Sequence, residues 1–99
     1  MSFEIKWSRR ASLDLAGLKA YIATDNPPAA DTEVRAIILK VDLLGQFPLL
    51  GPVYRTANLH EFRSVLSGNY RIVYRVRLDG PFLDIVTIRH GAQDDPDLR

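Results

Sequence analysis

The side chains best suited to chemistry are the arginines in the second half of the chain. Residues 53–90 hold six arginines against three acidic residues, a charge of +3, whereas the whole 99-residue chain carries only +1. Arginine presents a planar set of donors that fits carboxylates and phosphates. This stretch is therefore expected to bind an anionic group of a partner or target. The arginines expected to form the binding surface are Arg63, Arg71, Arg75, Arg77 and Arg89.

The composition excludes most other kinds of site. The chain has no cysteine, and its two histidines, His60 and His90, are too few for a histidine-rich metal cage. It also lacks a glycine-rich phosphate loop, a serine-histidine-acid arrangement and carboxylates at catalytic spacing. We therefore expect neither a cofactor nor a metal.

The same sequence argues against a membrane partner. The longest uncharged stretch, residues 43–54, is interrupted by glycine and proline and is too short to span a bilayer. Residues 1–7 lack the apolar run of a secretory signal. The predicted location is the cytoplasm.

Apolar periodicity predicts the elements that position the arginines. Residues 3–7 alternate apolar and charged side chains, which predicts a short strand. Ser8 is suited to cap a helix over about residues 9–24. The helix is expected to bury one side, formed by Ala11, Leu15, Leu18 and Ile22.

A second helix should follow almost at once, because Asn26 is a favourable cap and Pro27 is tolerated in a first helical turn. Gly45 is expected to end it. The two helices should form an antiparallel hairpin packed on a sheet. The predicted buried stripe of the second helix is Ala30, Val34, Ile37, Ile38, Val41 and Leu44.

The rest of the chain reads as a loop and a β-meander. Residues 46–58 are predicted to be mainly loop, with at most a brief extended piece near Tyr54. Strands are then expected over residues 59–66, 70–77 and 82–90, separated by turns that contain glycine.

The strand over residues 70–77 has two different faces. Its even-numbered residues are aromatic or aliphatic, while three of its four odd-numbered residues are arginines. Because side chains alternate across a strand, the apolar face should pack on the helices and the arginine face should remain open. A structural reading is equally open, in which these arginines pair with Glu61 or Asp84 across the sheet.

Several strings resemble toxins of bacterial type II toxin–antitoxin systems, the ParE/RelE superfamily. The resemblance covers about residues 3–92, and it implies an α+β fold with an N-terminal strand and an antiparallel helical hairpin packed on an antiparallel β-meander. The length of 99 residues predicts a single toxin domain over residues 1–99, and the proline and three aspartates of 91–99 predict a polar acidic tail. The strings are LDL at 13–15, YIA at 21–23, DNPPAA at 25–30, FPLLG at 47–51, GNYRIVYRV at 68–76 and IRHGA at 88–92.

The sequence looks most like the ParE branch, whose members poison DNA gyrase and are held inactive by a ParD-type antitoxin. The resemblance therefore implies a gyrase inhibitor that acts by binding and forms a hetero-oligomer with a cognate ParD-type antitoxin. The antitoxin is expected to lay a helix along the hairpin and an extended piece near the sheet. No direct sequence-specific DNA binding is expected from this chain.

Two alternatives remain open. The other large branch cleaves messenger RNA in the ribosome, and the resemblance places Arg71 where such members carry a cleavage arginine and His90 where some carry a general acid or base. The second predicted strand has no lysine, however, and the tail is acidic, which disfavours RNA binding. The other alternative is a non-toxic member that only binds its antitoxin.

Overall fold

The computed structural model describes residues 2–91, which form a helical hairpin packed on a five-stranded sheet. The elements are β1 Glu4–Trp7, α1 Arg9–Asp25, α2 Pro27–Gln46, β2 Val53–Ala57, β3 His60–Ser67, β4 Tyr70–Arg77 and β5 Phe82–His90. The sheet order is β1-β5-β4-β3-β2; β1 runs parallel to β5, and every other pair is antiparallel. This confirms the predicted α+β class, although the sheet is mixed. All but the first residue of the predicted acidic tail lies outside the described residues.

Both helices begin at the predicted caps. The Ser8 hydroxyl accepts a hydrogen bond from the Ala11 N–H at 3.0 Å, and the Asn26 side chain accepts one from the Ala29 N–H at 3.1 Å. Each cap satisfies a backbone donor that the first helical turn leaves without a partner. Only Asn26 separates α1 from α2, so the two helices form a tight hairpin.

Gly45 does not end α2 but lies buried in its last turn. The backbone N–H of Phe3 donates to the Gly45 carbonyl at 2.8 Å, and a Cβ on Gly45 would approach the Ile5 side chain to 3.1 Å. The missing side chain therefore lets β1 pass close to the helix. The helix ends one residue later, at Gln46.

The segment predicted to be mainly loop contains an edge strand. β2 pairs with β3 through a two-residue turn formed by Asn58 and Leu59, whose φ angles are 52° and 66°. Two consecutive positive φ angles define the tight turn that matches the twist of a hairpin. The following strand therefore starts at His60.

The core lies between the hairpin and one face of the sheet. Its largest fully buried side chains come from both layers: Ile37, Val41 and Leu44 of α2, and Ile72, Tyr74, Leu83 and Ile85 of the sheet. The prediction that Ile38 belongs to the buried stripe is wrong, since its side chain is 42% exposed. Each helical residue is rotated by about 100° from the one before it, which turns Ile38 away from the sheet.

A candidate binding surface on the open face of the sheet

Ser8, the N-cap of α1, and Asp14 in its first half hold the part of the β5 edge that β1 does not cover. The Ser8 hydroxyl donates to the Val86 carbonyl at 2.9 Å, and the carboxylate of Asp14 accepts from the backbone N–H of Ile88 at 3.1 Å and from the hydroxyl of Thr87. These contacts satisfy the strand edge beyond the short β1. The backbone that carries the last residues of β5 is therefore held in place.

Arg71 and Arg89 lie directly opposite each other on β4 and β5. Opposed residues share a face, and by alternation this is the face turned away from the helices. The Arg71 guanidinium lies 4.9 Å from the centroid of the Tyr54 ring and donates to the Ser64 hydroxyl at 2.9 Å. The Nε of Arg89 is buried without a hydrogen-bond partner. Among residues 2–91 neither guanidinium forms an ion pair with a carboxylate, so no carboxylate in that range neutralises this arginine pair.

Arg75 and Arg77, on the same face, share one carboxylate. Asp84 accepts from Arg75 Nη2 at 3.0 Å and from Arg77 Nε at 2.7 Å. Burial acts to raise the pKa of Asp84, but the hydrogen bonds from Arg77 and Arg75 outweigh it and hold the pKa below its usual value. The same contact raises the pKa of Arg77. The prediction that arginines of β4 pair with Asp84 across the sheet is thus confirmed for Arg75 and Arg77. The carboxylate of Asp84 occupies some of the N–H donors of both side chains.

Arg63 does not join the other arginines. It lies opposite Tyr74 in the β3–β4 register, on the side of the sheet that faces the core. Its Nη1 donates to the Gly51 carbonyl at 2.8 Å, and its Nη2 lies 3.9 Å from the carboxylate of Glu61. This arginine therefore fastens the loop before β2 to the sheet.

His90 lies on the opposite face from Arg71. It pairs in register with Tyr70, and the two rings meet edge to face with centroids 5.5 Å apart. Burial, followed by the charge of Glu33, raises the pKa of Tyr70. The histidine lines an open depression of about 500 Å³ beside α1, and Arg89 lines the same depression. His60 is exposed at the start of β3, where it pairs with Ala57 of β2 and not with β4 or β5.

Two partners of Arg71 were missed by sequence reasoning. Tyr54 lies in the segment predicted to be mainly loop, and Ser64 carries no signal beyond its place in a strand. The alternation that places Arg71 on the face away from the helices also places Ser64 there, although Ser64 is buried, once the β3–β4 register is known. That register is the signal that the sequence lacks.

Other kinds of site receive no support in the described part of the chain. Residues 2–91 contain no group of three or more metal-ligating side chains. Neither of the two helices is long and apolar enough to cross a membrane.

Three solved structures that share this fold are chains of toxin–antitoxin systems. A chain of the chromosomal ParDE system of Pseudomonas aeruginosa superposes with a TM-score of 0.74 at 23% identity, covering 90% of this chain and 96% of that one. A chain of the RelBE2 complex of Mycobacterium tuberculosis superposes with a TM-score of 0.64 at 22% identity, covering 91% of this chain and 99% of that one. A chain of the archaeal RelE–RelB complex of Pyrococcus horikoshii superposes with a TM-score of 0.69 at 14% identity, covering 95% of this chain and 100% of that one. The fold is thus one that ParE and RelE systems share.

Sequence comparison identifies the family of the chain. The model of the ParE toxin of the type II toxin–antitoxin system parDE matches residues 5–95. A provisionally named toxin of Sinorhizobium fredii, Y4kP, is 32% identical over 96 residues, covering 95% of this chain and 94% of that protein. The chain belongs to the ParE toxin family and is the toxin of a type II toxin–antitoxin system, which confirms the resemblance seen in its sequence.

Proposed function

We propose that this toxin inhibits DNA gyrase by binding it, and that a cognate ParD-type antitoxin neutralises it. The observation that supports binding over cleavage is the separation of Arg71 from His90, which extend from opposite faces of the sheet. The family match to the toxin of parDE supports gyrase as the target and a ParD-type protein as the partner.

Cleavage of RNA without a metal needs a base and an acid that reach the same phosphate. The Arg71 guanidinium and the His90 imidazole extend from opposite faces of the sheet, so these two groups do not converge on one phosphate. Arg71 is also fixed by Tyr54 and Ser64, which suits it to hold an anion in one geometry. The geometry therefore favours recognition over bond chemistry.

The pair formed by Arg71 and Arg89 is the proposed centre of recognition. Two like charges directly opposite each other destabilise a sheet, and an anion from a partner relieves that repulsion. Leu66 lies opposite Arg71 on the other side, in β3, and is 53% exposed, so an apolar contact is available beside the charges. An antitoxin segment that combines carboxylates with apolar residues fits this surface.

The test is a gyrase supercoiling assay with the full chain after separation from its antitoxin. We expect inhibition, and we expect Arg71→Ala and Arg89→Ala to weaken it roughly ten-fold or more, since hydrogen bonds to charged groups contribute about 1.5–3 kcal/mol. Arg9→Ala, which removes an exposed arginine on α1, should inhibit as the original chain does. Circular dichroism checks that each variant folds. Unimpaired supercoiling at saturating toxin would remove gyrase as the target.

A RelE-like ribosome-dependent nuclease is the alternative, because two adjacent guanidinium groups also fit the charge of a phosphate. This alternative requires transcripts to be cut in translating ribosomes, with cleavage lost in Arg71→Ala or His90→Ala. Intact transcripts in arrested cells exclude it. Harmless overexpression together with retained antitoxin binding identifies the third possibility, a non-toxic member of the family.

A further inference from the structure

The central strands β3 and β4 pair over only part of their length. Their register begins where Arg63 lies opposite Tyr74 and continues from there toward the turn that joins the two strands. On the other side of this pair, residues 60–62 of β3 and 75–77 of β4 are still strands, since the first segment pairs with β2 and the second with β5. Within residues 2–91 each segment therefore has an unpaired inner edge. The two edges enclose a gap within the sheet, which we call the β3–β4 fork.

A depression lies beside the fork on each face of the sheet. Glu61 of β3 and Val76 of β4 both line a depression of about 400 Å³. Phe62 of β3 and Arg75 of β4, the next residues along each strand, both line one of about 410 Å³. Side chains alternate between the two faces along a strand. A strand placed in the fork would therefore direct its side chains in turn toward the two depressions.

The unpaired edges determine what kind of ligand fits the fork. Each edge presents backbone N–H and C=O groups at the spacing of a strand, and their natural partner is another backbone in an extended conformation. Addition of such a strand is a common way in which proteins bind peptides. Because each edge is three residues long, the fork accepts a short segment but can pair with it on both sides.

The linings of the two depressions determine the side chains that the segment should carry. The first depression is lined by leucines that are 66%, 100% and 82% exposed, namely Leu49, Leu59 and Leu78. Exposed apolar side chains grouped in this way are typical of an interaction site. The second depression is lined by two cations, Lys6 and Arg75, against one carboxylate, that of Asp84. An apolar side chain therefore suits the first depression and an acidic one suits the second.

We infer that an extended segment of the antitoxin, in which apolar and acidic side chains alternate, enters the β3–β4 fork as an additional strand. The toxin of a type II system has an antitoxin as its partner, and a segment that orders on binding can take its backbone hydrogen bonds from the toxin. The fork begins four residues after Arg71, about 13 Å along β4, so it is a separate contact from the pair of Arg71 and Arg89. The inference rests on neutralisation by an antitoxin in the proposed function, and not on gyrase.

Amide hydrogen exchange, followed residue by residue by NMR, tests the inference on the full chain alone and in its complex with the antitoxin. In the free toxin, the amides of residues 60–62 and 75–77 that point into the fork should exchange rapidly. In the complex their exchange should slow roughly ten-fold or more, and only at alternate residues, because every second amide of a strand points to one side. Residues 70–73, which pair on both sides, are the internal reference and should be protected in both states.

A cysteine at the fork locates the segment by a second measurement. The chain has no cysteine, so Glu61→Cys supplies a single thiol, in place of a side chain that is 64% exposed. Its reaction with N-ethylmaleimide should slow roughly ten-fold or more in the complex, because a bound strand restricts access. Glu4→Cys, on β1 at the far edge of the sheet, replaces a side chain that is 66% exposed. This matched control should react alike in both states.

The results separate this inference from the proposed function. A toxin that forms no complex with the antitoxin overturns the proposed neutralisation and this inference with it. A complex in which the fork amides exchange as fast as in the free toxin, or in which the Glu61→Cys thiol keeps its full rate, overturns this inference alone. Protection that appears in the toxin by itself as its concentration rises also overturns it, since a second copy would then occupy the fork.

Discussion

The hydroxyl of Tyr74 donates a hydrogen bond to the carbonyl of Pro48 at 2.7 Å and accepts one from the Gly51 N–H at 2.9 Å. Tyr74 is fully buried in the core, so this one side chain ties the loop before β2 to the central strand β4. Burial raises the pKa of Tyr74 despite the opposing effects of Gly51 and Arg63. Arg63 holds the same loop from another direction through the Gly51 carbonyl.

Tyr74→Phe should destabilise the fold by about 1–3 kcal/mol, because it leaves a carbonyl and an N–H without a partner in a buried site. The measurement is the free energy of unfolding in denaturant. Tyr70→Phe is the matched control, since it removes a hydroxyl that forms no hydrogen bond with another residue of the described range 2–91, and its effect should stay within about 0.5 kcal/mol. Equal effects of the two substitutions would contradict the assigned role of Tyr74.

Asp84→Asn should destabilise the toxin at neutral pH by roughly 1–2 kcal/mol, since the carboxylate that accepts three hydrogen bonds from Arg75 and Arg77 loses its charge at a partly exposed site. The pKa of Asp84 is depressed in the folded state, so its stabilising effect is present above the usual carboxyl pKa. That effect is lost as the pH falls through the lower folded-state pKa. The difference between the variant and the original chain should therefore shrink as the pH falls below the usual carboxyl pKa.

Unfolding of both proteins across pH 2–7 checks this expectation. Asp79→Asn, in the exposed β4–β5 turn, is the control and should leave the stability at neutral pH nearly unchanged. A difference that stays constant down to the acid end of the range would show that the carboxylate charge is not what stabilises this contact.

Local signals carried most of the fold prediction. Ser8 and Asn26 mark helix starts through side chains that bond within three residues, so no distant contact is needed to recognise them. The arginine face of β4 follows equally from simple alternation. Ile38 was misplaced because a helix made apolar on two sides does not reveal which side meets the sheet.

The candidate site was predicted only in part, because it depends on register. In β3 both alternating sets mix apolar and polar residues, so the pattern did not show that Arg63 faces the core. The pairing of Arg71 with Arg89 depends on the irregularity in β4–β5 pairing between Val73 and Tyr74, which shifts the register of β5. Such a shift is a property of the assembled sheet and leaves no local mark.

The turn between β2 and β3 offers a prediction of increased stability. Leu59 adopts a φ of 66° although its side chain is 100% exposed. A side chain with a Cβ is disfavoured in the left-handed region by roughly 1–2 kcal/mol, and glycine is not. Asn-Gly is also the preferred pair for this turn type. Leu59→Gly should therefore stabilise the toxin by about 1 kcal/mol, seen as a rise in Tm of about 4–8 °C.

Leu78→Gly is the matched control for this turn. Leu78 is 82% exposed in the β4–β5 turn and is not among the residues with positive φ. Glycine there relieves no strain and only increases the conformational freedom of the unfolded chain, so the substitution should lower the Tm. A loss of stability in Leu59→Gly comparable to that in Leu78→Gly would mean that Leu59 makes a favourable contact that outweighs its backbone strain.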